Sequence, residues 1–71
     1  WSLSEYYKIA LAMKKAANQL WVKLIWGGVW DTNLNSLSDD IKMELESYAV
    51  RFTKATGRKP LVDGPHFEIA Q

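Results

Sequence analysis

Residues 61–70 read Leu61 Val62 Asp63 Gly64 Pro65 His66 Phe67 Glu68 Ile69 Ala70, and whether the second half of this run is a strand decides the fold. As a strand, His66 to Ala70 sets His66, Glu68 and Ala70 on one face and Phe67 and Ile69 on the other. The polar set then looks into a cleft while the apolar pair packs under a helix. Pro65 suits the position just before the ladder begins, because it has no N–H to contribute. Asp63 lies just outside the strand, across a Gly64 Pro65 bend that aims its carboxylate back toward the imidazole.

Upstream, Val22 to Trp26 is rich in branched and aromatic residues and stops at Gly27 Gly28, which reads as a strand entering a tight turn. Ahead of it, Ser2 followed by Glu5 is a capping-box signature, and Tyr6, Ile9, Ala10, Met13, Ala16, Ala17 and Leu20 recur at helical spacing. A helix from about Leu3 to Gln19 is expected, with Lys8, Lys14, Lys15 and Asn18 on its far side and small alanines that let it lie close to a sheet. Trp30 to Leu37 reads as a polar loop. From Ser38 as N-cap, with Asp39 and Asp40 in the first turn, the stripe Ile41, Leu45, Tyr48, Ala49, Phe52 and Ala55 predicts a second helix to about Thr56. Gly57 stops it, Arg58 and Lys59 sit near its negative end, and Pro60 prevents continuation. The whole is an α+β arrangement, two helices packed on a small antiparallel sheet, with no internal repeat.

Composition bounds the function. A chain of 71 residues can form one small domain, but such domains bury only about 60% of their unfolded surface and usually need staples or partners. Cysteine is absent, which excludes disulfides and thiolate-held zinc. Four tryptophans, three tyrosines and two phenylalanines are more rings than a lone two-layer fragment covers easily. Some of them are expected to face another chain or a missing segment. Nine Lys and Arg against eight Asp and Glu leave a net charge of +1, so no nucleic-acid partner is suggested. The apolar stretch Leu20 to Trp30 is interrupted by Lys23 and by Gly27 Gly28, too short and broken to span a bilayer. A first residue of Trp1 rather than methionine suggests a processed or truncated product.

The chemistry-bearing residues converge on the tail. His66 is the only histidine, and it follows Asp63 by three positions. An imidazole presented from a strand end beside a proton-handling carboxylate is half of a hydrolytic metal site. Trp26 Gly27 Gly28 Val29 Trp30, then Asp63 Gly64 Pro65 His66 Phe67 Glu68, resembles the C-terminal half of the D-alanyl-D-alanine carboxypeptidase and L-alanyl-D-glutamate endopeptidase family. These are zinc peptidases of bacterial cell walls and of bacteriophage lysis or virion proteins. The helix from Tyr7 to Leu20 resembles the one that family places before the Trp-Gly-Gly turn, and Leu34 to Lys59 is the least typical part.

That resemblance implies a division of labour. His66 is the zinc ligand and Asp63 the general base that takes a proton from the attacking water and returns it to the leaving amine. Glu68 orients the imidazole, and Trp26 and Trp30 wall the cleft beside the substrate, a peptidoglycan stem peptide. The expected activity is that of a metallopeptidase hydrolysing an amide bond of the stem, an endopeptidase of the phage endolysin type ahead of a carboxypeptidase. It acts in the bacterial cell wall or periplasm, and a phage-encoded form is cytoplasmic before lysis or carried in the virion.

One departure qualifies this. The family's other zinc ligands, a histidine and an aspartate in a segment resembling S-x-H-x-x-G-x-A-x-D, have no counterpart here. A three-ligand site therefore needs an N-terminal half of the same domain or a separate chain, and these residues alone should be inactive. The alternative is a non-catalytic structural or cell-wall-binding remnant, for example in a phage particle. A third class, a purely interaction-driven module, predicts that His66 and Asp63 diverge in space. Plainer roles also stand beside the chemical ones: Asp63 as a turn former before Gly64, Glu68 as an ordinary exposed strand residue, and Gly27 and Gly28 as permissive turn residues.

Overall fold

The computed structural model describes residues 2–70. Five elements follow in order: helix α1 (Leu3–Leu20), strand β1 (Leu24–Gly27), a 3₁₀ turn (Leu34–Ser36), helix α2 (Ile41–Thr56) and strand β2 (Asp63–Ile69). The two strands form one antiparallel sheet, α1 packs against both of them and α2 packs against α1, so the α+β reading holds. No helix among the described residues is long and apolar enough to cross a membrane.

α1 starts where the sequence places it. The Glu5 carboxylate accepts a hydrogen bond from the Ser2 N–H at 3.1 Å, occupying a donor that the helix itself leaves free. Ala10 and Ala17 are buried, with Tyr6 and Met13 partly so on the same stripe. Ala16 and Leu20 lie outside it and are exposed. Lys14 departs from its expected solvated position: its side chain is only 12% exposed and its ammonium lies 2.7 Å from Asp39. That contact holds the Asp39 carboxyl below its ordinary range and ties α1 to the approach of α2.

α2 is capped by Asp40 rather than Ser38. The Asp40 carboxylate accepts from the Met43 N–H at 3.1 Å, while the Ser38 N–H donates to Glu44 at 2.6 Å. Ser38 is thus held in the approach to the helix, and the acid nearest the first free N–H groups takes the cap. At the other end Gly57 adopts φ 72°, the left-handed conformation glycine tolerates best.

β1 begins two residues later than expected, and its outer edge is occupied. Asn35, in the 3₁₀ turn, donates from Nδ2 to the Val22 carbonyl at 2.6 Å and accepts at Oδ1 from the Leu24 N–H at 2.9 Å. Its amide stands in for a neighbouring strand where β1 would otherwise expose an unpaired edge. The same turn, read from sequence as plain polar loop, buries Leu34 completely. The core is a continuous layer of Leu24, Trp26, Val29, Leu34, Leu37, Ile41, Leu45 and Tyr48, closed on the α1 side by Ala10 and Ala17.

Candidate functional site

β2 carries Asp63, His66 and Glu68, and their relation depends on an irregularity in the ladder. Leu24 pairs with Ile69, Ile25 with Glu68 and Trp26 with Phe67, but the next step along β1 takes Gly27 to Asp63. Gly64, Pro65 and His66 are left over on β2, a bulge that leaves the ladder. β2 therefore begins at Asp63, earlier than the expected start at His66, and Pro65 falls within the bulge, where no ladder N–H is required of it.

In an unbroken strand, positions three apart face opposite sides. The bulge removes that separation: Asp63 Oδ2 lies 3.9 Å from His66 Nδ1. Glu68 Oε1 lies 3.7 Å from His66 Nε2, as the alternation His66, Glu68 predicts. Both distances are longer than a hydrogen bond, so the imidazole sits between two carboxylates without being bonded to either. The ring is 40% exposed overall, yet its Nε2 is covered and has no hydrogen-bond partner. Asp63 and His66 do not diverge, as a purely interaction-driven module would have them do.

The Trp-Gly-Gly-Val-Trp turn holds the bulge in place. The Trp26 indole donates to the buried Gly64 carbonyl at 2.8 Å, and the Trp30 indole donates to the Leu61 carbonyl at 3.1 Å. Backbone on each side of Asp63 is thereby fixed. A Cβ at Gly27 would collide with the Asp63 carbonyl, and one at Gly64 would stand 2.7 Å from the Tyr6 ring. Gly27 is needed because the two strand backbones pass too closely for a side chain, and Gly64 because the Tyr6 ring packs against it.

The two tryptophans have different roles from the shared one expected of them. Trp26 is completely buried, its ring stacked on Phe67 with centroids 6.4 Å apart. It has no surface to offer a substrate, because the same face that packs on Phe67 fills the core. Trp30 is only partly buried, and its ring lies 5.0 Å from the His66 imidazole, tilted by 44°. Trp30 therefore borders the candidate site directly.

Two further residues carry no local sequence signal. Arg51, on α2, donates from Nε and Nη2 to both carboxylate oxygens of Asp31, each at 2.9 Å. The guanidinium holds the Asp31 carboxyl below its ordinary range, while burial pushes the Tyr48 phenol beside it up. A carboxyl depressed in the folded chain contributes stability above its unfolded titration range and loses it as pH falls through the folded value. Arg51→Gln is therefore expected to lower Tm by a few degrees at pH 7, with the gap to the parent chain closing as pH falls through the depressed range of Asp31. Thermal melts of both proteins from pH 7 to pH 2 test this; a gap independent of pH would show that the pair does not act through its charge.

Among the described residues, no group of three or more His, Cys, Asp and Glu side chains is placed to hold a metal ion. What the bulge offers instead is one imidazole with a carboxylate near each ring nitrogen, Asp63 beside Nδ1 and Glu68 beside Nε2. That set fits one contribution to a catalytic zinc, which takes three protein ligands and keeps a position open. The other ligands would come from outside these residues.

No family model, curated protein or solved structure matches this chain.

Proposed function

We propose that this chain is the C-terminal part of a zinc-dependent peptidase that hydrolyses an amide bond in the peptidoglycan stem peptide. The observation that supports this best is the bulge in β2, which sets Asp63 beside His66 although their spacing in a regular strand would separate them. A turn former and an ordinary strand histidine need no such irregularity.

His66 would contribute one ligand to the zinc, with a histidine and an aspartate supplied by an upstream segment or a separate chain. When bound, zinc polarises the scissile carbonyl and acidifies the attacking water. Asp63 accepts the proton from that water and delivers it to the departing amine, work suited to a carboxylate that is half exposed and in no tight ion pair. Glu68 lies 3.7 Å from Nε2, and drawn into a hydrogen bond there it would orient the imidazole and leave Nδ1, on the Asp63 side, as the nitrogen that faces the zinc. Trp30 walls the approach. Trp26 and Gly27 act through position alone, by holding the backbone at Gly64 and letting Asp63 come close.

The test uses the full-length gene product on purified cell walls, reading release of free amines together with protein-bound zinc. Amine release is expected to disappear with a chelator, and His66→Ala is expected to lose both zinc and activity. Undiminished release under either treatment would overturn the assignment.

A further inference from the structure

From a depression bordered by Trp30 we infer a second binding site, one that takes a saccharide ring. Trp30, Asp31, Tyr48, Arg51, Phe52 and Ala55 line a depression of about 340 Å³, at the lower end of the size range for ligand pockets. It lies between α2 and the loop that follows the Trp-Gly-Gly turn, and Trp30 is the wall it shares with His66.

The ligand class follows from the balance of charge and ring surface. Trp30 and Phe52, both partly exposed, form the apolar part, with the buried Tyr48 ring 5.9 Å from Phe52 and tilted by 46°. At the polar edge Arg51 lies 5.8 Å from the Tyr48 ring centre and is bound through two N–H groups to Asp31. An isolated arginine would favour an anion; here the carboxylate cancels that pull, so neither a phosphate nor a carboxylate ligand gains much from entering. The pair still offers hydrogen bonds, because guanidinium has five N–H donors and a carboxylate has several acceptor positions. A neutral, hydroxyl-rich ring with apolar C–H faces satisfies both halves of this surface: its flat face stacks on an aromatic ring while its edge bonds to the ion pair. The ion pair also holds these groups in place before any ligand arrives, which reduces the ordering cost of binding.

The choice among sugars rests on the function proposed above. The polymer whose stem peptides are cut is a chain of N-acetylated amino sugars, so a sugar site next to His66 grips the glycan beside the peptide being cleaved. α2, the part of the chain least like the peptidases it resembles, then acts as a substrate-positioning element.

The probe is the N-acetylglucosamine trimer, titrated into the full-length protein in the presence of chelator, with tryptophan indole N–H signals followed by NMR. The Trp30 signal is expected to shift saturably, with Kd about 0.1–10 mM, while the signal of Trp21, which is 94% exposed and lies outside the depression, stays in place. Ala55→Leu fills the pocket from an exposed helical position where leucine is well tolerated, so it is expected to fold normally and to raise Kd at least about tenfold. No Trp30 shift up to about 50 mM sugar, or a shift produced by N-acetyl-D-glutamate in place of the sugar, would overturn the site. Because zinc and hydrolysis play no part in this titration, the two readings separate: sugar binding without amine release refutes only the peptidase, and amine release without sugar binding refutes only the saccharide site.

Discussion

Asp63→Asn in the full-length gene product is expected to lower the rate of amine release from cell walls by about 10²–10⁴-fold, the range lost when a positioned general base is removed. Asparagine keeps the size and turn preference of aspartate but cannot accept the proton. The folded state should hardly notice the change. The Asp63 side chain is 46% exposed, and the imidazole, 3.9 Å from it, is too far for a hydrogen bond. Bound zinc and Tm are therefore expected to stay close to those of the parent protein, which separates loss of proton transfer from loss of the site. A loss of this size corresponds to about 2.7–5.5 kcal/mol of transition-state stabilisation, more than an exposed turn former contributes to anything. Glu68→Gln provides the contrast: a residue that acts through the imidazole is expected to weaken zinc binding along with turnover. If Asp63→Asn turned over peptide at the parent rate, Asp63 would be a turn residue and nothing more.

Elements with local causes were legible in the sequence. The stripe through Tyr6, Ala10, Met13 and Ala17 predicted α1 because helical spacing acts within the segment itself. The Gly57 stop and the face shared by His66 and Glu68 were equally local. What escaped were contacts between residues far apart in the chain. Ser38 and Asp40 are both good caps, and although they lie close together, only the fold shows that the Asp40 carboxylate takes the Met43 N–H. Asn35 looked like any loop asparagine, and only the fold shows it completing the edge of β1. The candidate site divides in the same way. Asp63, Gly64, Pro65 and His66 suggested a bend, but the skipped register is a property of two strands, and it exists because Gly27 lets the Asp63 carbonyl approach. Trp26 and Trp30 look alike as sequence, yet one faces Phe67 in the core and the other faces His66. Asp31 and Arg51 stand 20 positions apart, with nothing local to announce their pairing.

Trp26 is where fold and site depend on the same side chain, so its replacement carries the largest expected effect on stability. Trp26→Ala removes a ring with no exposed surface and leaves a cavity beside Phe67 and Gly28. Such truncations cost about 3–5 kcal/mol. A folded chain of 71 residues has about 4–11 kcal/mol in all at the usual stability per residue. Trp26→Ala is thus expected to remove about a third or more of the total stability, and to unfold much of the population if the parent chain lies at the low end of that range. Trp26→Phe isolates the polar part of the same effect. It keeps an aromatic ring against Phe67 but removes the N–H that serves the buried Gly64 carbonyl, a loss of about 1–3 kcal/mol for an acceptor left unsatisfied. Urea unfolding should show a lower midpoint at an unchanged slope for Trp26→Phe. Because Gly64 belongs to the bulge that joins Asp63 to His66, the imidazole resonances of His66 should also move in the folded Trp26→Phe protein. A Trp26→Phe protein as stable as the parent, with its His66 signals unmoved, would mean that the indole fills space without holding the bulge, and another contact would then have to keep the carboxylate and the imidazole together.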